Sequence, residues 1–170
     1  MIRKCEPADR ETILEVINDA ARVYRGVIPA DCCRDPYMSF EELQREIRGG
    51  VEFWCDGEEG EIAGVMGIQY FPDVTLIRHA YVRQSRRRGG IGGNLLALFR
   101  RQTVLPILLG TWADAVWAVR FYEKNGFRLV GHEEKERLLR KYWDIPLRQI
   151  ETSVVLADEK WAQFREELLR

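Results

Sequence analysis

The residues best able to do chemistry sit in the stretch 82–96, Val-Arg-Gln-Ser-Arg-Arg-Arg-Gly-Gly-Ile-Gly-Gly-Asn-Leu-Leu, which holds four arginines and four glycines. Glycines let consecutive backbone N–H groups turn toward one point with no Cβ in the way. An amphipathic segment follows, with Ile91, Leu95, Leu98 and Phe99 at helical spacing, and a helix N-terminus adds roughly half a positive charge. Together they suit a phosphate or pyrophosphate. A run of arginines is usually a solvated basic patch; the interleaved glycines and the helix after them favour the anion site here. The chain has two histidines, and histidine is the side chain whose ordinary pKa suits proton exchange near neutral pH. His79 lies just before the arginine–glycine loop, whereas His132 lies in a charged surface segment and has no case as a base. Cys5, Cys32, Cys33 and Cys55 form no Cys-x-x-Cys pair and have no histidine at ligand spacing. Neither a metal site nor a disulfide framework is expected.

The elements before and after this loop must hold it in place. Residues 2–5 read as a strand, and Pro7 and Asp9 introduce a helix with Ile13, Val16, Ile17, Ala20 and Tyr24 on one face. Gly26 and Pro29 stop it. Ser39 and Glu42 have capping-box spacing, opening a second helix through Phe40, Leu43 and Ile47 to Gly49 and Gly50. Residues 51–55 and 62–70 read as an antiparallel hairpin around the turn 56–60, and 74–82 as the strand before the loop. The loop's helix runs over 91–103 and ends before Pro106. The apolar run 105–112 reads as a buried strand parallel to its predecessor. Asp114 is placed to cap a helix over 115–124, with Asn125-Gly126 ending it and a strand at 127–130. Residues 132–142 read as a charged surface helix and 152–156 as a final strand. Trp161, Phe164 and Leu168 share one face of a last helix that must dock somewhere.

With 170 residues, 46% hydrophobic and 31% charged, the sequence fits one domain over 1–170, in which 131–170 forms a helix-strand-helix completion. A formal net charge of -1 argues against a protein that grips nucleic acid over a broad basic face. Apolar runs are too short to span a bilayer, and the first residues lack the long apolar region of a secretory signal. The expectation is a cytoplasmic protein with no membrane or nucleic-acid partner. A homodimer contact, if formed, would use the last strand and the aromatic helix.

Two motifs carry a resemblance to a known family. Arg87-Arg88-Gly89-Gly90-Ile91-Gly92 meets the pattern Gln/Arg-x-x-Gly-x-Gly/Ala, and Phe121-Tyr122 followed by Gly126-Phe127 supplies an aromatic pair with a trailing Gly-Phe. In this order and separation, and with these elements, the chain resembles the GCN5-related N-acetyltransferase (GNAT) family. Three positions depart from the family's habit: Gln84 stands where a proline is common, Arg88 where a glycine is common, and Ala115 where an asparagine often opens the helix.

The resemblance implies an α/β fold of three α/β/α layers, with a mostly antiparallel central sheet and one splayed parallel pair of strands. It implies acetyl-CoA as co-substrate, and acetyl transfer by direct attack of an amine on a small molecule or protein. The backbone from Arg87 through Arg88, Gly89, Gly90, Ile91 and Gly92 to Gly93 would hold the pyrophosphate, with Arg83, Arg86 or Arg88 reaching its oxygens. Tyr81 and Val82 would pair by backbone with the pantetheine arm. Tyr122 would be the general acid, since a phenol with a pKa of about 10 is protonated at neutral pH and can donate to a leaving thiolate. His79 is the first candidate for a base, the alternative being that its side chain points into a helix-covered face, and Asp114 is the second candidate, the alternative being its capping role. Tyr24, Arg25 and Trp112, with Tyr37, Met38 and Trp117, would border the acceptor. The alternative is a non-catalytic acyl-CoA sensor on the same fold.

Overall fold

The computed structural model describes residues 1–168; the side chain of Leu168 lies outside the described residues. Period-two burial builds the sheet. In β2 (Glu52–Asp56), Phe53 and Cys55 are buried while their neighbours are half exposed, as expected of a strand with one face on a core. β3 (Gly64–Tyr70) is buried over most of its length because both its faces and both its edges are covered. With β1 (Ile2–Lys4), β4 (Thr75–Val82), β5 (Ile107–Trp112), β6 (Arg128–Leu129) and β7 (Ser153–Ala157), these strands form one sheet in the order β1-β2-β3-β4-β5-β7-β6.

Every neighbouring pair is antiparallel except β4 and β5. That parallel pair matches Thr75 with Ile107, Leu76 with Leu108 and Ile77 with Leu109, and there it stops. β4 continues to Val82 and β5 to Trp112, so the sheet opens between them. The mixed sheet with a splayed parallel pair is the architecture expected from the sequence.

Alternate residues of the central strands feed opposite cores. Ile77, Leu109 and Leu156 meet Leu95, Leu96 and Phe99 of α3 (Ile91–Gln102) and Tyr122 of α4 (Val116–Lys124). On the other face, α1 (Arg10–Ala21) and α2 (Phe40–Arg48) cover Phe53, Cys55 and Val65 with Ile13, Val16, Ile17 and Leu43. The capping box of α2 forms as expected: Glu42 N donates to Ser39 Oγ at 3.2 Å, and Ser39 N to Glu42 Oε2 at 2.9 Å. Leu76, Leu108 and Val155 lie under α5 (His132–Tyr142), α6 (Leu147–Thr152) and Trp161 of α7 (Glu159–Leu168). A bidentate pair, Arg148 Nε to Asp31 Oδ2 at 2.8 Å and Arg148 Nη2 to Asp31 Oδ1 at 3.3 Å, ties α6 to the segment ahead of α2.

Five details depart from the sequence reading. α4 starts at Val116 with Ala115 at its cap and no side-chain capping bond; Asp114 contributes only its carbonyl, which accepts from Val116 N. The strand expected over 127–130 shortens to Arg128–Leu129, the two residues in ladder register with β7, while Val130 N adds one bond to the Val155 carbonyl at 3.0 Å. α5 is not simply a surface helix, since Leu138, Leu139 and Tyr142 are buried and Lys135 reaches the Ile150 carbonyl at 2.8 Å. α6 was not foreseen, being too short to show a period. β7, expected over 152–156, spans Ser153–Ala157 and lies between β5 and β6, and Trp161 and Phe164 pack within the chain.

Candidate functional site

The opening between β4 and β5 begins with an irregularity in β4. Val65 faces Tyr81 and Gly67 faces Arg78, so Met66 alone stands opposite both His79 and Ala80. This is a β-bulge, and His79 takes a left-handed φ of 54° to make it. Left-handed backbone is costly for a residue with a Cβ and concentrates at functional sites. The bulge brings Arg78 and His79 to one carboxylate. Glu46 Oε2 lies 3.0 Å from His79 Nε2 and 3.3 Å from Arg78 Nη2. Burial would raise the pKa of Glu46, but the hydrogen bond from His79 and the charges of His79, Arg78 and Arg45 outweigh it and hold it low. The imidazole stacks on Phe53, with ring centroids 5.9 Å apart.

Beyond Ile77 the edge of β4 that faces β5 has no strand partner, leaving the peptide groups near Tyr81 and Val82 open to an extended ligand. The arginine–glycine loop follows. Residues Gln84–Arg86 form one tight turn, Arg88 and Gly90 adopt φ of 67° and 77°, and Gly90 caps α3. None of the six N–H groups from 88 to 93 donates to a protein acceptor among the described residues. The loop is exposed, and Arg86, Arg87 and Arg88 have no ion-pair partner among the described residues. A fan of free N–H groups at a helix N-terminus, flanked by unpaired guanidinium groups, is the donor set that a pyrophosphate requires. Arg83 is turned elsewhere: its Nε donates to the Ile62 carbonyl at 2.8 Å, and its Nη2 meets Glu15 at 3.3 Å.

On the α1 side of the opening an aromatic cluster closes in. Tyr24 lies 5.3 Å from Tyr37, 6.4 Å from Tyr81 and 6.1 Å from Trp117 between ring centroids. Trp112 Nε1 donates to Tyr37 Oη at 2.7 Å. Burial is the main reason that the Tyr24 and Tyr81 phenols titrate above their ordinary range, and the neighbouring phenols contribute. Arg25 is on the rim, paired with Asp35 at 3.3 Å. The structure thus brings Tyr24, Tyr81 and Trp112 together.

Tyr122, on α4, belongs to the core cluster with Leu95, Leu96 and Leu109. It is 7% exposed, packs edge-on against Phe121 at 5.1 Å and Phe127 at 5.9 Å, and is near enough to the Tyr24 phenol to influence it. Burial alone raises its pKa, and its hydroxyl has no hydrogen-bond partner among the described residues. A protonated phenol with a free O–H is able to donate to an anion forming in the opening.

Sequence reasoning missed Glu46 and Arg78. The signal was Gly67, a glycine inside a strand, which often marks a bulge on the neighbouring strand; its Cβ would come within 2.8 Å of the Arg78 carbonyl. Among the described residues no cluster of histidine, cysteine and carboxylate side chains could hold a metal, and no helix is long and apolar enough to cross a membrane.

Comparison with known proteins agrees with the fold. Residues 49–129 match the acetyltransferase (GNAT) domain model. A GNAT-family acetyltransferase from Staphylococcus aureus superposes with a TM-score of 0.68 at 20% identity, covering 93% of this chain and 97% of that one. The PaiA N-acetyltransferase from Thermoplasma acidophilum, solved with coenzyme A, gives 0.66 at 18% identity over 93% and 97%. A ribosomal-protein-alanine N-acetyltransferase from Brucella melitensis gives 0.58 at 23% identity over 77% and 86%. No curated protein sequence matches. The matched segment, 49–129, holds β2 to β6, the arginine–glycine loop and Tyr122, so the acetyltransferase (GNAT) domain model recognises the part of the chain that builds the opening, and the solved structures share its fold.

Proposed function

We propose that this protein is an N-acetyltransferase that moves the acetyl group of acetyl-CoA to a primary amine by direct attack. The observation that carries the reading is the unpartnered N–H fan of residues 88–93 at the head of α3, opening onto the unpaired edge of β4. Coenzyme A supplies an activated thioester. The N–H groups from Arg88 through Gly89, Gly90, Ile91 and Gly92 to Gly93 hold its pyrophosphate, with Arg87 and Arg88 beside it, and the backbone at Tyr81 and Val82 lines its arm. Arg83 supports the strand end through Ile62 and Glu15.

An alkyl ammonium with a pKa of about 10.4 leaves only about one molecule in a few thousand neutral at pH 7, so a base is an advantage. His79 takes the amine proton, and the amine nitrogen bonds to the thioester carbon. As the carbon–sulfur bond breaks, Tyr122 donates its phenolic proton to the departing sulfur. Tyr24, Arg25 and Trp112 border the acceptor. Neighbours named for ribosomal-protein-alanine acetylation make an alanine-starting peptide an acceptor to test beside small amines.

Binding is tested by thermal unfolding with micromolar acetyl-CoA. Occupancy at a hundred times the dissociation constant adds about 2.7 kcal/mol, a clear rise in Tm; no shift with acetyl-CoA or free CoA would sink the reading. Mass spectrometry of an amine and peptide panel then separates enzyme from sensor, because the sensor binds and yields no acetylated product.

A further inference from the structure

We infer that Glu46 is a positioning residue for His79: it holds the imidazole through Nε2 and leaves Nδ1 as the nitrogen that takes the acceptor's proton, a role resting on His79 being the base proposed above. Glu46 comes from α2 and His79 from β4, 33 residues apart, and their atoms meet at 3.0 Å. An ionised carboxylate only accepts, so the 3.0 Å contact puts a hydrogen on Nε2, and the tautomer that carries it there has its lone pair on Nδ1. Nδ1 has no partner among the described residues. Phe53 fixes the ring plane by stacking, and the bulge fixes the Cα, which stands two positions beyond the last β4–β5 pair. The imidazole and the carboxylate are 18% and 24% exposed, enough for a water to reach them.

The surrounding charges explain why the carboxylate is needed. Arg78 lies beside His79 on β4, so a proton arriving on Nδ1 would place an imidazolium next to a guanidinium. Glu46 touches both cations and balances that charge, with Arg45 adding to the field from α2 and Asp144 acting on Arg78 from the link between α5 and α6. When the proton moves from the amine nitrogen to Nδ1, the Nε2–H···Oε2 bond stays in place and strengthens, and the proton leaves to solvent from Nδ1.

The experiment reads the ring directly and needs no acceptor. In the full chain carrying His132→Gln, which leaves one histidine, ¹⁵N NMR of the imidazole gives the tautomer and the titration midpoint. The expected result is a single Nε2–H tautomer, which becomes a mixture in Glu46→Gln with a midpoint at lower pH, and which Glu46→Asp restores in part. Equal tautomer populations and midpoints with and without the carboxylate would overturn the inference; Glu46→Asp keeps the charge should Glu46→Gln fold poorly. The base reading is tested separately by thiol release from acetyl-CoA with an alanine-starting peptide or spermidine. If His79→Ala turns over with the parent pH profile while the NMR result holds, the base reading fails and the Glu46 contact is structural only. If His79→Ala loses turnover and the NMR result fails, the base stands and Glu46 does not position it.

Discussion

Gly92, in the first turn of α3, faces Phe121 of α4 so closely that a Cβ at position 92 would stand 3.2 Å from the ring's Cζ. The two sequence motifs therefore touch: one presents the N–H fan, the other carries Tyr122 on the next residue. Gly92→Val pushes Phe121 aside and overpacks the contact by about 1–3 kcal/mol. Expected are a lower Tm and at least about tenfold weaker CoA binding by calorimetry; unchanged values for both would show that the motifs are independent.

Tyr122→Phe removes only the phenolic oxygen, which has no hydrogen-bond partner among the described residues, so the fold and CoA affinity should hold. Turnover should fall by about 10²-fold or more, the usual loss on removing a general acid. Full turnover in this variant would take Tyr122 out of the reaction.

Arg88 holds a φ of 67° where a glycine would be unstrained, at a cost of about 1 kcal/mol. If the backbone does the binding, Arg88→Gly should keep CoA affinity within about threefold, a change of about 0.7 kcal/mol. Gly90→Val, forced into a φ of 77°, should lose far more. The reverse ranking would assign the affinity to the guanidinium.

Asp9 is buried and accepts from Arg3 at 2.7 and 2.8 Å and from Glu6 N at 2.7 Å. The Arg3 hydrogen bonds hold its pKa below the ordinary carboxylate range, against the opposing effect of burial. A carboxyl group of depressed pKa stabilises the fold at pH above its unfolded pKa of about 3.9 and loses that contribution as pH falls through the folded value. Asp9→Asn should cost about 2 kcal/mol at pH 7, with the gap from the parent closing below about pH 4. A gap independent of pH would mean the loss is one of packing.

The site was legible in the sequence where its chemistry is local. The arginine–glycine loop and its helix could be read because glycines report backbone conformation and position one stretch of chain. The hairpin of β2 and β3 and the parallel pairing of β5 with β4 could be read from apolar runs and turn residues. His79 with Glu46 was not legible, because the left-handed residue at the bulge is a histidine and its partner lies on another element. Arg83 belongs to the arginine run by sequence, yet the end of β4 turns it toward α1. Tyr37 and Trp112 are 75 positions apart and meet in a hydrogen bond that no spacing announces.

The placement of β7 between β5 and β6 also bears on how the chain comes into being. Residues 153–157 leave the ribosome after every other described strand, so until then the inner edge of β5 is a bare row of backbone donors and acceptors, and β6 has nothing to join. Such an edge invites pairing with another nascent chain. The half of the sheet that carries the arginine–glycine loop would be complete in sequence long before it was safe in solution, and a stop codon ahead of Ser153 should yield insoluble protein although the loop and Tyr122 are intact.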